Sequence, residues 1–500
     1  MSKSQDFDAI VIGSGYGGAC AAEPLSRAGL KVCIVERGTW WGAFDGHRPL
    51  PETVPQILGS LARFNFSAFG RGVSIPLSNR GLLEVSVHQG SIVVNSVAVG
   101  GNSLVSGNYM RRPAPQFFAT LPPELTSSEL APHYDRIEQA LGVSSGPRDE
   151  ETQARLSAFA EREKCVLGPV PQSIRFASDD PATKPPCTLC NKCMFGCNVG
   201  AKLSFDRTLI ATAMKAGAVV RDLCMVQTVA RVPGGYEVRF RDARTGKSEV
   251  LRAPRVVVAA GAMNTLKVLL RSTATGALDP IPELGRHFSV GADWIAWYRA
   301  SRDITPEKVT GHVLEADMRV PGSGTDFDFN ILAATGPLIP GSWLLRTVQG
   351  RRTVGLVGFG PDDMDGQVSW TGRGTAIRHR KTAVLGRIQP MLDRLAGVYG
   401  WNGTPRPPDP NRRVRPWLTF HPLGGCRMAT DASRGVVDFK GEVFGHPGLH
   451  VADASILPVM TIAGPQLSIS ALASWIAERI VKGEGHSEKR QPSPMMSSAA

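Results

Sequence analysis

The 500-residue chain contains no stretch of about eighteen apolar residues free of charge, so nothing in it is expected to span a bilayer. It also lacks a basic start, a long apolar run and a small-residue cleavage site. Acidic and apolar residues, Asp6 to Ile12, follow Met1 almost at once, and a secretory signal is not expected. That places the protein in the cytoplasm as an expectation. Cysteine is scarce: nine residues are too few for a disulfide-stapled secreted scaffold. No three-residue period runs through the 54 glycines, which excludes a collagen-like rod, and no internal repeat is found. Hydrophobic residues, at 42%, are too many for a disordered chain. Lys and Arg outnumber Asp and Glu by 56 to 44, a net charge of +12. Spread over the whole chain, that surplus reads as a basic surface, and no nucleic-acid partner is expected.

The length calls for two or three packed units rather than one core. At the start, Asp8 to Ile12 reads as a buried strand running into Gly13, Gly15 and Gly18. A small-residue helix follows, closed by Ala28–Gly29, with Pro24 expected to kink it. A second strand, Lys31 to Val35, ends at Glu36. The first glycine makes the tight turn, the second lets backbone approach a pyrophosphate, and the third lets helix and strand touch. The helix N-terminus favours phosphate, and Glu36 can accept ribose hydroxyls. This unit binds a dinucleotide but does not by itself separate NAD from FAD.

The far end of the chain carries His421-Pro-Leu-Gly-Gly-Cys426 and a strand, Gly448 to Val451, leading to Asp453. A helix follows with Ile469, Leu472, Ile476 and Ile480 on one face; Gly464 suits its N-cap and Pro465 its first position.

In these segments the chain resembles the glucose–methanol–choline (GMC) family of flavoprotein oxidoreductases, and within it the cholesterol-oxidase-like branch. The resemblance is carried by the opening unit, Val99 to Val105, Ala259 to Arg271 (through Gly261), Thr275 to Leu278, His421 to Cys426, and Val451 to Ser455. It fades over roughly 290–415. It implies FAD, with Gly100 and Gly101 against the flavin or its ribityl chain, Val226 at the adenine, and Asp453 at the ribityl and pyrophosphate end. The helix opened by Gly464 and Pro465 would point at the flavin's pyrimidine edge, where negative charge gathers on reduction. His421 matches the family's catalytic histidine, a base suited to an alcohol proton near neutral pH. The chain departs from the branch at several positions. Gly464 replaces an asparagine; Gln466 carries an amide that either reaches the site in its place or only faces the helix start. Asn102 stands at a family glycine and Ser106, counted with the cofactor residues, at a family asparagine. No counterpart of a sterol-isomerising glutamate is found near Gln349 to Val354.

Cys187, Cys190, Cys193 and Cys197 have ferredoxin-like spacing, with Asn198 where proline usually follows. One iron–sulfur cluster, zinc, or thiols without metal all stay open.

The resemblance implies an α/β (α+β overall) fold: a Rossmann-like FAD-binding domain of discontinuous segments interleaved with an antiparallel-sheet substrate domain. The FAD unit is expected at 1–45, 85–112, 190–290 and 416–483, the substrate unit at 46–84, 113–189 and 291–415, and a disordered tail at 484–500. Short strands around Phe327 to Leu332 and Arg352 to Val357 agree with the antiparallel sheet. The expected reaction oxidises a CH–OH group of a bulky, mostly apolar small-molecule alcohol, with hydride passing to flavin N5 and His421 as base. O2, a quinone or an electron-acceptor protein could reoxidise the flavin. The alternatives are an FAD-dependent desaturation or non-hydride tailoring reaction, or an electron-relay flavoprotein in which His421 is structural.

Overall fold

Five short runs dominated by Val, Ile and Leu form a parallel sheet: β1 (Ala9–Ile12), β2 (Val32–Val35), β3 (Val219–Arg221), β4 (Arg255–Val258) and β5 (Leu449–Val451). Their order in this computed structural model is β3-β2-β1-β4-β5. Every side chain of β1, β2 and β5 is buried, as a parallel sheet covered on both faces requires. The register pairs Ile12 with Val35 and Val258, and Val258 with Val451. The four strands therefore end level, and the turns at Gly13, Glu36, Ala259 and Ala452 open on one edge. Ligands of such sheets bind at that carboxyl edge.

The structure describes residues 7–42, 47–68, 71–88, 91–146, 166–168, 170–190, 192–291, 294–299, 314–320, 327–334, 353–359, 363–379, 417–461 and 464–483. Within these lie helices α1 (Tyr16–Arg27), α2 (Ser127–Ala140), α3 (Ala262–Ala274) and α4 (Gln466–Val481). The assigned helix α1 runs through Pro24, where a kink was expected. Pro465 occupies the N-cap of α4, one residue later than the sequence signal placed the cap. No helix among the described residues is long and apolar enough to cross a membrane.

A second, mixed sheet orders its strands 417–419, 91–96, 83–88, 61–68, 71–76. A third, wholly antiparallel, joins 294–299, 353–359, 327–334, 314–320 and 166–168. It contains both short strands expected around Phe327 to Leu332 and Arg352 to Val357.

Two contacts run across the expected division of the chain. The boundary at 84/85 falls inside the strand Leu83–His88, which pairs with 61–68 on one side and 91–96 on the other. A ladder of backbone hydrogen bonds binds these strands into one body. Helix α2, expected in the substrate unit, packs on α4, expected in the nucleotide unit. Tyr134 donates to Ser468 Oγ at 3.2 Å, and His133 Nδ1 lies 2.7 Å from Ser474 Oγ. The tail 484–500 lies outside the described residues.

Candidate active site and cofactor cradle

The glycine turn after β1 separates into three jobs. Gly13 has φ +97°, left-handed backbone that only glycine adopts cheaply, and a Cβ there would sit 2.3 Å from Ala259 O. A Cβ on Gly18 would sit 2.1 Å from Gly13 O, so this glycine lets α1 close on the strand. Gly15 differs: a Cβ would meet Gly101 Cα alone, at 3.8 Å, leaving one face of the turn open to a ligand. Gly17 was not singled out from the sequence, yet it is the most constrained of the set. A Cβ there would meet Ala452 O at 1.7 Å, where α1 crosses the end of β5.

Glu36 is buried, and it organises the turn from within. Its Oε2 accepts from Ser14 N (3.1 Å) and Ser14 Oγ (2.8 Å), and its Oε1 from Gly38 N (2.7 Å). That uses three of the roughly four acceptor positions of a carboxylate, leaving about one for a ribose hydroxyl. Ser14 Oγ also accepts from Gly100 N at 3.1 Å, which fastens the fingerprint turn to the second glycine loop. Ser14 was overlooked because a serine between two glycines reads as filler.

Gly100 and Gly101 both have positive φ, +95° and +56°. A Cβ on Gly101 would lie 2.7 Å from Gly15 Cα. The loop then runs to Ser106, whose hydroxyl lies 2.9 Å from Tyr16 Oη on α1. Lys202, only 2% exposed, supports it from behind. Its ammonium donates to Leu104 O (2.7 Å), Ser106 O (2.6 Å) and Cys193 O (2.9 Å), matching its three protons. No sequence signal beyond its place after Gly200-Ala201 pointed to it. Val226 lies half-buried in the strand Cys224–Val232, two residues after Cys224, whose N–H donates to Glu36 O. That puts it beside the acid-bearing end of β2.

Asp453, beyond β5, is 3% exposed and fully engaged with protein. Its Oδ2 accepts from Gly261 N (2.8 Å) and Thr265 Oγ1 (2.5 Å), its Oδ1 from Ser455 N (2.9 Å) and Ser455 Oγ (2.6 Å). Burial pushes this carboxyl up, against the hydrogen bonds from Ser455, Thr265 and Gly261. Four donors fill its acceptor positions, so the side chain serves as a clamp joining the end of β5 to the start of α3. Gly261, at φ +80°, has nothing within 4 Å of where its Cβ would be, and that face is open.

His421 follows the strand Trp417–Thr419. Its N–H donates to Thr419 Oγ1 at 3.2 Å, while that hydroxyl donates to Val290 O at 2.7 Å. A Cβ on Gly291 would meet His421 O at 2.9 Å, so the histidine backbone is pressed against a glycine. Further on, Cys426 N donates to Ser455 O at 2.9 Å, which ties the histidine segment to the Asp453 turn. At the start of α4, the Gln466 carboxamide folds back over Gly464. A Cβ on Gly464 would meet Gln466 Oε1 at 2.3 Å. Gln466 is 7% exposed, and its Oε1 is buried with no hydrogen-bond partner among the described residues. Leaving a buried acceptor unpaired costs about 1–3 kcal/mol, so the position calls for a donor from a bound molecule.

The cysteine quartet does not gather into a metal site. No group of three or more His, Cys, Asp or Glu among the described residues is placed to hold a metal. Cys193 is buried at the start of a single 3-10 turn, Cys190 is exposed, and none of the four forms a disulfide among the described residues. Burial pushes the Cys187 thiol up to about 11, against the N–H that Leu189 donates to it. The loop is held instead by Lys202 and by Asn198, which bonds both the N–H and the carbonyl of Leu50. The iron–sulfur and zinc readings are set aside on these grounds.

The remaining residues fit FAD. The open face at Gly15 admits a pyrophosphate beside the N-terminus of α1, Glu36 keeps an acceptor, and Gln466 presents an unpaired polar atom at the N-terminus of α4.

Two family profiles, both described as GMC oxidoreductase, match the chain over residues 7–290 and 403–473. An uncharacterized GMC-type oxidoreductase of Mycobacterium tuberculosis is 27% identical over 95% of this chain and 76% of the relative. A cholesterol oxidase of the same organism is 24% identical over 97% and 93%. Among solved structures, pyridoxine 4-oxidase from Mesorbium loti matches with a TM-score of 0.67 at 17% identity, covering 94% of this chain and 98% of that one. That likeness shows the fold.

Proposed function

The chain belongs to the GMC oxidoreductase family of FAD-binding flavoproteins, and from that membership we propose that it oxidises the CH–OH group of a bulky, mostly apolar alcohol to a carbonyl. The cholesterol oxidase among its relatives supports that substrate class. The observation that carries most weight is Gln466 Oε1, buried at the start of α4 without a hydrogen-bond partner among the described residues.

Gly13, Gly15, Glu36, Gly100 and Gly101 would hold the nucleotide, with Asp453 and Gly261 shaping its far side. When bound, FAD supplies a two-electron acceptor able to take a hydride at N5. The chain's own task is the proton. An imidazole nitrogen of His421 takes the hydroxyl proton of the alcohol. Imidazolium is far more acidic than an alcohol, so this proton leaves together with C–H cleavage rather than before it. Thr419 and Gly291 hold the His421 backbone in place for that exchange. Gln466 hydrogen-bonds the polar group seated beside it and orients it, and the positive end of α4 favours negative charge there. Gln466 thus supplies the amide that related enzymes carry at position 464.

Anaerobic bleaching of the bound flavin, screened over sterols, terpenoid alcohols, aromatic alcohols and sugars, tests this reading. An apolar alcohol should bleach it, and His421→Ala should slow that step by about a hundredfold or more while flavin content stays unchanged. Bleaching at an undiminished rate in His421→Ala would remove the histidine from the chemistry.

A further inference from the structure

Tyr16 opens α1, one residue after the open face of Gly15, and its side chain bridges two parts of the cofactor cradle. Its ring meets Phe205 edge-on, with centroids 5.0 Å apart, and its Oη lies 2.9 Å from Ser106 Oγ beyond the Gly100–Gly101 loop. Phe205 is itself tied to that loop: its N–H donates to Ser103 Oγ, which donates to Gly100 O. The Tyr16 oxygen is thereby held in place, and what remains to be fixed is the direction of its proton.

A backbone carbonyl decides it. Asn108 is wholly buried at φ +53°, and one end of its carboxamide lies 3.1 Å from Ser173 O and 2.7 Å from Ser173 Oγ. A carbonyl only accepts, so this end is the NH2 group and the other is Oδ1. Oδ1 lies 3.0 Å from Ser106 Oγ, its donor among the described residues. Turning the Ser106 proton elsewhere would leave Oδ1 buried and unpaired, at a cost of about 1–3 kcal/mol. Ser106 therefore donates to Asn108, and Tyr16 donates to Ser106. The Asn108 N–H, 3.3 Å from Ser106 Oγ, takes that oxygen's other lone pair. Tyr16, half-buried, is left with only acceptor capacity on Oη, and no other partner meets it among the described residues. Gly15 is open toward the pyrophosphate and Gly100–Gly101 toward the flavin end. A side chain bridging these two turns stands level with what joins those parts of FAD, the hydroxylated ribityl chain.

We propose that Tyr16 holds the cofactor by accepting a hydrogen bond from a ribityl hydroxyl, and that Asn108, acting through Ser106, is the positioning residue that keeps Tyr16 an acceptor. This rests on the FAD reading above. The full chain, stripped of flavin, is titrated by flavin fluorescence with FAD and with FAD analogues deoxygenated at ribityl C2′, C3′ or C4′. The parent should bind at least one analogue about fivefold or more weaker than FAD, and Tyr16→Phe should bind the two alike. Asn108→Gly keeps the left-handed backbone and removes only the side chain. It should weaken FAD by about threefold or more while leaving that analogue's affinity unchanged, and should add nothing to Tyr16→Phe. Ser106→Ala breaks the same relay and takes its place should Asn108→Gly fail to fold. Relay variants that weaken FAD and analogue alike act on structure only and overturn the positioning role. Equal parent affinity for FAD and every analogue, or an undiminished preference in Tyr16→Phe, overturns the Tyr16 contact while FAD binding stands. A parent that takes up no FAD overturns the reading beneath it as well.

Discussion

At residue 464 a single methyl group is enough to probe the site. Gly464→Ala places a Cβ where Gln466 Oε1 now lies, and the carboxamide must swing away. Gln466→Leu removes the amide without touching residue 464. Each change should slow anaerobic flavin reduction by about tenfold or more, and the double variant should be scarcely slower than either single one, because both act through one group. Additive losses, measured by stopped-flow reduction, would show that position 464 has a task of its own. The sequence offered Gln466 merely as a residue carrying a suitable amide. Whether it reaches back depends on helix phase and on the empty space at a glycine, and both are set by packing. Gly13, by contrast, was readable directly, because its positive φ is a demand on the residue type itself. Asp453 was readable as important but not in its detail: four protein donors, spread from Gly261 to Ser455, fill a carboxylate expected to meet the cofactor.

The docking of α2 on α4 turns a local contact into a pH dependence. His133 sits between Ser474 and Glu478, with its ring edge-on to Trp475. Burial pushes its value from 6.5 down to about 4; Glu478 acts upward, and Arg136, Arg479 and Lys482 downward. A histidine harder to protonate when folded means that the unfolded chain takes up the proton first as pH falls. The stability it contributes is intact above 6.5 and is lost progressively between 6.5 and 4. His133→Gln keeps a partner for Ser474 and removes the titration. Between pH 7 and pH 4 the parent should lose about 2 kcal/mol more unfolding free energy than this variant, measured by urea denaturation. Parallel pH curves would place the acid sensitivity elsewhere. None of this was visible in the sequence, where α2 lies far from α4 and its segment was assigned to the other unit. The β1–α1–β2 unit was legible because all its contacts are local. Even there Gly17 escaped notice, since the carbonyl it makes room for belongs to Ala452.

How the nucleotide-binding sheet is joined to the mixed sheet is decided by a buried charge cluster. Arg37 follows Glu36 at the carboxyl end of β2, and its guanidinium pairs with Glu84 on the strand Leu83–His88. Asn65 from the neighbouring strand donates to the other Glu84 oxygen, and Lys267 on α3 adds a second positive charge nearby. Burial alone would raise the Glu84 carboxyl, but the charge and hydrogen bond of Arg37, the charge of Lys267 and the Asn65 amide hold it below its ordinary value. The cluster therefore stabilises the fold above that value and stops doing so as acid protonates it. Removing the acid leaves two cations facing each other with little water. Glu84→Ala should cost about 3–5 kcal/mol in urea unfolding and reduce flavin content, because the Glu36 turn and the Gly100 loop are held between the same two sheets. Replacing both partners, Arg37→Met with Glu84→Leu, removes one of the two facing cations along with the acid and should recover part of that loss, Lys267 alone remaining without its carboxylate. If the single and double variants lose the same stability, the pair contributes packing and not charge, and some other contact must set the angle between the sheets.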